Sequence, residues 1–122
     1  MNQEALQRLK DLTERLKELN DQAHDQFTQR TRSENYEVDF YGEVKPFADA
    51  VLKVVDEWKP LVFEWIQTAH PKYIYFPQIN DTYDNLTIIS VTAFQKDTRR
   101  KRFLDTVSSI KYVLDLIIEQ LS

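Results

Sequence analysis

The sequence predicts an all-α fold, an up-and-down antiparallel four-helix bundle. Three observations carry this. Four stretches of the 122-residue chain place apolar residues at steps of three and four. Gly42 is the only glycine, which leaves almost no option but long helices. Nothing in the chain alternates with a period of two, so a strand would find no partner. A single domain spanning 1–122 is expected, with helices at about 2–30, 40–69, 77–96 and 98–121.

The first stretch carries Leu6, Leu9, Leu12, Leu16, Leu19, Ala23 and Phe27 on one face. Glu, Lys, Arg and Gln fill the other faces, and all are good helix formers. Glu14 can pair along the surface with Lys10 and Lys17. Residues 31–38 (TRSENYEV) are polar and aperiodic, a long connection for neighbouring helices.

Asp39 is a good N-cap for the second helix. The seam then runs through Phe40, Val44, Phe47, Val51, Val54, Trp58, Leu61 and Trp65. Pro46 and Pro60 fall off that seam, on the outer face, where a proline bends a helix around its core. One long bent helix is expected, against a rival break at Pro60. His70-Pro71 ends it, because the residue before proline disfavours the α region. Residues 72–76 (KYIYF) form an aromatic connector, and Pro77 suits the first position of helix three. In that helix Leu86 to Thr92 is rich in β-branched residues and reads locally as a strand. With no partner strand available, tertiary context should make it helical. Thr98 is the expected N-cap of helix four, whose seam is Phe103, Val107, Ile110, Leu114, Ile117 and Leu121. Short connections imply antiparallel neighbours.

Composition narrows the function classes. There is no cysteine, hence no disulfide, thiol nucleophile or thiolate metal site, and a reducing cytoplasmic location is expected. No apolar run approaches the ~20 residues that span a bilayer. The N-terminal stretch is amphipathic and carries acids, so it reads as neither a signal nor a transit peptide. A net charge of −4 is unlike the basic excess of a dedicated nucleic-acid binder.

Several short motifs occur in order: Asp39-Phe40, Lys45-Pro46, Pro71-Lys72-Tyr73 followed by Ile79, and Lys101-Arg102-Phe103. Together they resemble the YppE-like family of small, uncharacterised cytoplasmic proteins of Gram-positive bacteria. The resemblance spans nearly the whole chain and is strongest from about Ala69 to Leu114. It implies a four-helix bundle and implies no activity, cofactor or catalytic residue. The chain departs from the family pattern at Pro60.

Catalytic constellations find no support in the residues. A di-iron bundle needs two Glu-x-x-His pairs, whereas His24 has Asp21 three residues before it and His70 has no acid there. His24 reads as a half-exposed helix residue, and His70 suits the negative end of a helix dipole. No Gly-x-Ser-x-Gly elbow or phosphate-binding glycine loop exists. Adjacent acids such as Asp56-Glu57 belong to solvated helix faces. No metal or cofactor is therefore expected.

Two groups of residues remain as candidate binding sites. The run Arg99, Arg100, Lys101 and Arg102 sits near a helix N-terminus, where cations do nothing for helix stability. It can hold a phosphate or an acidic partner, or be a solvated turn. Tyr73, Tyr75 and Phe76, with Lys72 beside them, gather at a segment boundary, as do Tyr36, Phe40 and Tyr41. They either plug the bundle ends or form a patch for a partner. His70 and Lys72 lie at the opposite end from the basic run, roughly 30 Å away, so the two cannot make one small site. The preferred expectation is a non-enzymatic interaction module that binds another protein or self-associates. The alternative is phosphate or nucleic-acid binding through 99–102. No membrane role is expected.

Overall fold

The computed structural model describes every residue, Met1–Ser122. The helices are α1 (Gln3–Asp25), α2 (Lys45–Ala69), α3 (Phe76–Thr92) and α4 (Arg100–Leu121). A π-helical turn, Gln26–Thr31, continues α1, and another, Phe40–Val44, leads into α2. α1 packs on α2 and α4, and α3 packs on the same two helices. The result is an up-and-down antiparallel four-helix bundle, in which sequence neighbours are spatial neighbours.

Each helix start has a local cause, and so does each departure from periodicity. The Asn2 side chain accepts from the Ala5 amide at 2.8 Å and caps α1. Asp39 caps the π turn before α2, accepting from the Gly42 amide at 2.9 Å. A Cβ at Gly42 would lie 2.1 Å from the Asp39 carboxylate. The lone glycine is thus the residue that leaves room for this cap. Along α2 the fully buried positions are Val51, Val55, Trp58 and Val62, while Val54 and Leu61 of the expected seam are half-buried. α2 is packed from two sides, so its apolar face is wider than one stripe. Pro60 is exposed and the helix runs through it unbroken. Asp56, whose carbonyl loses its helical donor to Pro60, is itself an exposed residue on the outer face, where a proline bends a helix instead of breaking it.

The β-branched run of α3 is helical, with Leu86, Ile89 and Ser90 buried. α3 stops at Thr92, short of the expected 96. The Thr98 hydroxyl donates to the Thr92 carbonyl at 2.8 Å, and the Thr31 hydroxyl to the Ala93 carbonyl at 2.6 Å. These bonds satisfy carbonyls that another helical turn would use. Thr98, facing back toward α3, is therefore not the cap of α4, and Arg99 occupies the N-cap position without capping.

The core contains two polar devices. The Trp58 indole, fully buried, donates from Nε1 to the Thr13 hydroxyl at 3.0 Å, and Thr13 donates to the Leu9 carbonyl at 2.7 Å. Asn20, also fully buried, donates to the Val107 carbonyl of α4 at 3.1 Å. On the surface, Arg8 of α1 grips Glu57 of α2 through two nitrogens, and Lys17 of α1 meets Asp115 of α4 at 2.6 Å. Lys17 thus reaches across to another helix instead of pairing with Glu14.

Thr13→Val keeps the side-chain shape and leaves a buried indole N–H without an acceptor. It should destabilise the protein by about 1–3 kcal/mol, read as a lower urea midpoint with unchanged helicity. An unchanged midpoint would mean the bond contributes nothing. The bond from Arg8 holds the Glu57 carboxyl below the usual carboxylate range. A depressed folded-state value stabilises the fold above the unfolded value and is lost as pH falls through the folded one. Glu57→Gln should therefore flatten part of the acid limb of melting temperature against pH. Because the pair is about half exposed, the change should be small and should shrink with added salt.

Candidate functional site

The start of α4 carries four cations, of which three have no ion-pair partner. Lys101 pairs with Asp105, one turn along, at 2.9 Å. Arg99, Arg100 and Arg102 are exposed, and no carboxylate lies within 4.0 Å of their guanidinium groups. No side chain caps this helix and no acid sits in its first turn, so the positive end of its dipole adds to the same field. Arg30, at the same end of the bundle, shows what a structural arginine looks like here. It meets Glu43 at 2.6 Å and the Gln26 side-chain oxygen at 3.0 Å. Glu43 in turn is the neighbour of Tyr36, whose phenol is pushed up by burial and then by that carboxylate.

A groove between α3 and α4 begins at two of these guanidiniums, Arg99 and Arg102. Its cationic mouth, about 420 Å³, is lined by Asn85, Arg99, Arg102, Thr106 and Ser109 among others, with no hydrophobic side chain. An adjoining hollow of about 370 Å³ adds an apolar corner, Ile88, Ile89 and Phe103, beside the same two arginines. A third, about 610 Å³, shares Asn85 and Ser109 and opens at Tyr75, Pro77 and Val113, with Asp81 on its rim. From Arg102 to Val113 the groove follows α4 for about 17 Å, at ~1.5 Å per residue.

The far mouth is built by the loop between α2 and α3. His70 (φ 48°) and Tyr73 (φ 65°) both occupy the left-handed region, which a bulky aromatic rarely adopts. Each such residue costs on the order of 1 kcal/mol and must be held by its surroundings. Two contacts hold this loop. Gln120 of α4 accepts from the Lys72 amide at 3.0 Å and donates to the Lys72 carbonyl at 2.7 Å. Ile74 is inserted into the core, 1% exposed. The flanking Tyr73 and Tyr75 point outward, 66% and 62% exposed. Phe76 is partly covered by Phe63, at 4.9 Å between ring centroids.

These placements correct the plug reading of the boundary aromatics. Of the six, only Tyr36 is buried; Phe40 and Tyr41 stack edge-to-face on the surface, and Tyr73, Tyr75 and Phe76 are exposed. Ile74 does the plugging at the far end, because a purely apolar side chain loses nothing by leaving water, whereas a tyrosine must keep a partner for its hydroxyl. Lys72 lies beside the C-terminal end of α4 and Arg99–Arg102 at its N-terminal end, with the groove between them. The groove's middle, Asn85, Thr106 and Ser109, is the part that the periodicity did not single out. The available signal was the polar stripe Arg102, Thr106, Ser109, spaced four and three, flanking the α4 seam. His24 is half-exposed and lies 3.2 Å from Asp25. No three carboxylate or imidazole groups gather as a metal site would require. No helix is long and apolar enough to cross a membrane.

A family model described as a bacterial domain of unknown function, DUF1798, matches residues 13–121. The uncharacterized protein YppE of Bacillus subtilis (strain 168) is 25% identical over 116 residues, covering 95% of this chain and 94% of that protein. The crystal structure of a protein of unknown function from Listeria innocua superposes with a TM-score of 0.90 at 30% identity, over 96% of this chain and 93% of that one. A DUF1798 structure from Staphylococcus aureus gives 0.84 at 26% identity, over 93% and 96%. This kinship carries the fold and no reaction.

The clamp on the far mouth is open to a direct test. Gln120→Ala should speed amide hydrogen exchange at Lys72 and its loop neighbours while exchange in the helix centres stays unchanged. Equal protection in both proteins would mean that the loop is held by Ile74 alone.

Proposed function

We propose that this chain, which belongs to the DUF1798 family of bacterial domains, is a non-enzymatic interaction module that docks an acidic segment of a partner protein in the α3–α4 groove. One observation carries the reading. Two guanidinium groups without carboxylate partners, Arg99 and Arg102, line one mouth of a groove, in a fold whose inter-helix cations, Arg8, Lys17 and Arg30, each have one. Leaving like charges unpaired on one helix turn is unfavourable, and a carboxylate-bearing partner relieves it. Arginine suits this task because its planar fork meets a carboxylate with two parallel bonds.

The groove's chemistry supports binding over reaction. Its floor carries amide and hydroxyl groups, and its cationic mouth carries Arg99, Lys101 and Arg102 with Asp105 among them, an arrangement suited to holding an anion. The charge balance favours a protein partner over nucleic acid. The chain is net negative, and Asp97 and Asp105 flank the arginines, so a long phosphate backbone would meet repulsion on both sides of a small positive spot. A short acidic stretch fits within it.

A fluorescein-labelled glutamate-rich peptide, titrated by anisotropy at low ionic strength, tests the proposal. Binding should weaken with added salt, and the double charge reversal Arg99→Glu, Arg102→Glu should cost more than about tenfold without loss of helicity. Binding indifferent to the reversal would overturn the reading. So would failure of the peptide to bind while a single-stranded oligonucleotide of equal charge binds.

A further inference from the structure

Resting on that reading, we infer that the docked segment is an extended strand, held at one end by an acidic side chain and at the other by an apolar one, about five or six residues apart. The groove's length sets the spacing. About 17 Å separates the Arg102 mouth from Val113 along α4, and extended chain advances ~3.3 Å per residue.

The groove floor sets the conformation. The half-buried Asn85 amide and the exposed Ser109 hydroxyl line it, and neither is engaged in a hydrogen bond within the protein. An amide supplies two donors and an acceptor, and a hydroxyl supplies one of each. An extended backbone has unpaired N–H and C=O groups to meet them, whereas a helix has already spent its own.

The two mouths set the direction. Asp81 lines the far one with no cation beside it, whereas Arg99, Lys101 and Arg102 outnumber Asp105 at the near one, so the acidic residue seats beside Arg99 and Arg102. Tyr75, Pro77 and Val113 offer the far end an apolar surface. The strained loop supports the assignment. Tyr73 is kept left-handed, and Gln120 and Ile74 are both committed to fixing a segment whose tyrosine rings remain in water. Rigid aromatics presented in this way give a partner contact area at little cost in side-chain freedom.

The test uses the full chain and a labelled peptide series in which one glutamate and one leucine are separated by Gly-Ser spacers that are too short, matched (about five residues) or too long. The matched peptide should bind about tenfold more tightly than either other, a gap typical of one well-seated anchor. Tyr75→Ser should erase that spacing preference and leave the weaker, acid-dependent binding. Gln120→Ala should erase it too, with the ring intact but its loop released. Arg102→Glu should weaken all three peptides alike. Spacing-independent binding that still needs Arg102 would overturn this inference and leave the acidic-segment reading standing. Binding that needs neither Arg102 nor the glutamate would overturn both.

Discussion

The indole of Trp58 is the largest side chain with no exposure at all, and its single donor has a single acceptor, the hydroxyl of Thr13. An aromatic of this size contributes several kcal/mol through burial, but only if its N–H is satisfied, since an orphan donor would give back ~1–3 kcal/mol of it. Thr13 is free to accept because its own proton goes to the Leu9 carbonyl one turn back. This chain of bonds fixes how far α2 slides along α1. The outer pair Arg8–Glu57 agrees with that register from the solvent side. Once α1 and α2 are set, the bond from the Asn20 amide nitrogen to the Val107 carbonyl ties α4 to α1, although the Asn20 side-chain oxygen is buried without a partner. The groove sits between the two remaining neighbours, α3 and α4, on the far side of the bundle from this lock. It inherits rigid walls without sharing the core's polar bonds.

The cations of the molecule divide into two populations. Arg8, Lys17 and Arg30 each reach a carboxylate on another element and join segments far apart in the chain. Arg99, Arg100 and Arg102 join nothing. The distinction matters more than the total charge, which is negative and on its own would argue against anion binding. Local fields over a groove are set by what lies within about a Debye length, ~8 Å at physiological salt, and at the α4 N-terminus Arg99, Arg100, Lys101 and Arg102 outnumber Asp97 and Asp105. The energetic logic also separates the two kinds. A paired arginine has its attraction already realised in the fold, while an unpaired one keeps it for whatever arrives.

The helical architecture was legible because it rests on repetition. The seams of α1 and α4 reappear as buried residues almost position for position. The second seam drifted by one residue at Val54 and Leu61, because periodicity assumes one buried stripe and α2 has two neighbours. Thr98 as a cap and the extension of α3 to 96 misled for a related reason. Capping propensity says that a threonine near a helix start will bond forward, yet this hydroxyl bonds backward to Thr92, a choice made by tertiary contact. The basic turn was visible as a run of letters, and so were the tyrosines of the α2–α3 loop. What joins them was not. Asn85, Thr106 and Ser109 are unremarkable in sequence, and their role depends on two helices separated by a turn lying side by side. Nor does any local pattern mark Gln120 as the residue that closes on Lys72, 48 positions away.

The π turns at Gln26–Thr31 and Phe40–Val44 have a bearing on how such chains change length. A π turn closes its hydrogen bonds over five residues instead of four, so it takes up one more residue than an α turn over the same span. Both sit at one end of the bundle, where α1 leaves and α2 enters, and neither lies within the stretch that carries Trp58 or the groove. A relative with one residue fewer in either turn can keep the helix and merely wind it tighter, with every seam position downstream still facing the core. Single-residue gaps among relatives should therefore collect at these two turns, inside helices, and not only in the polar loop between them.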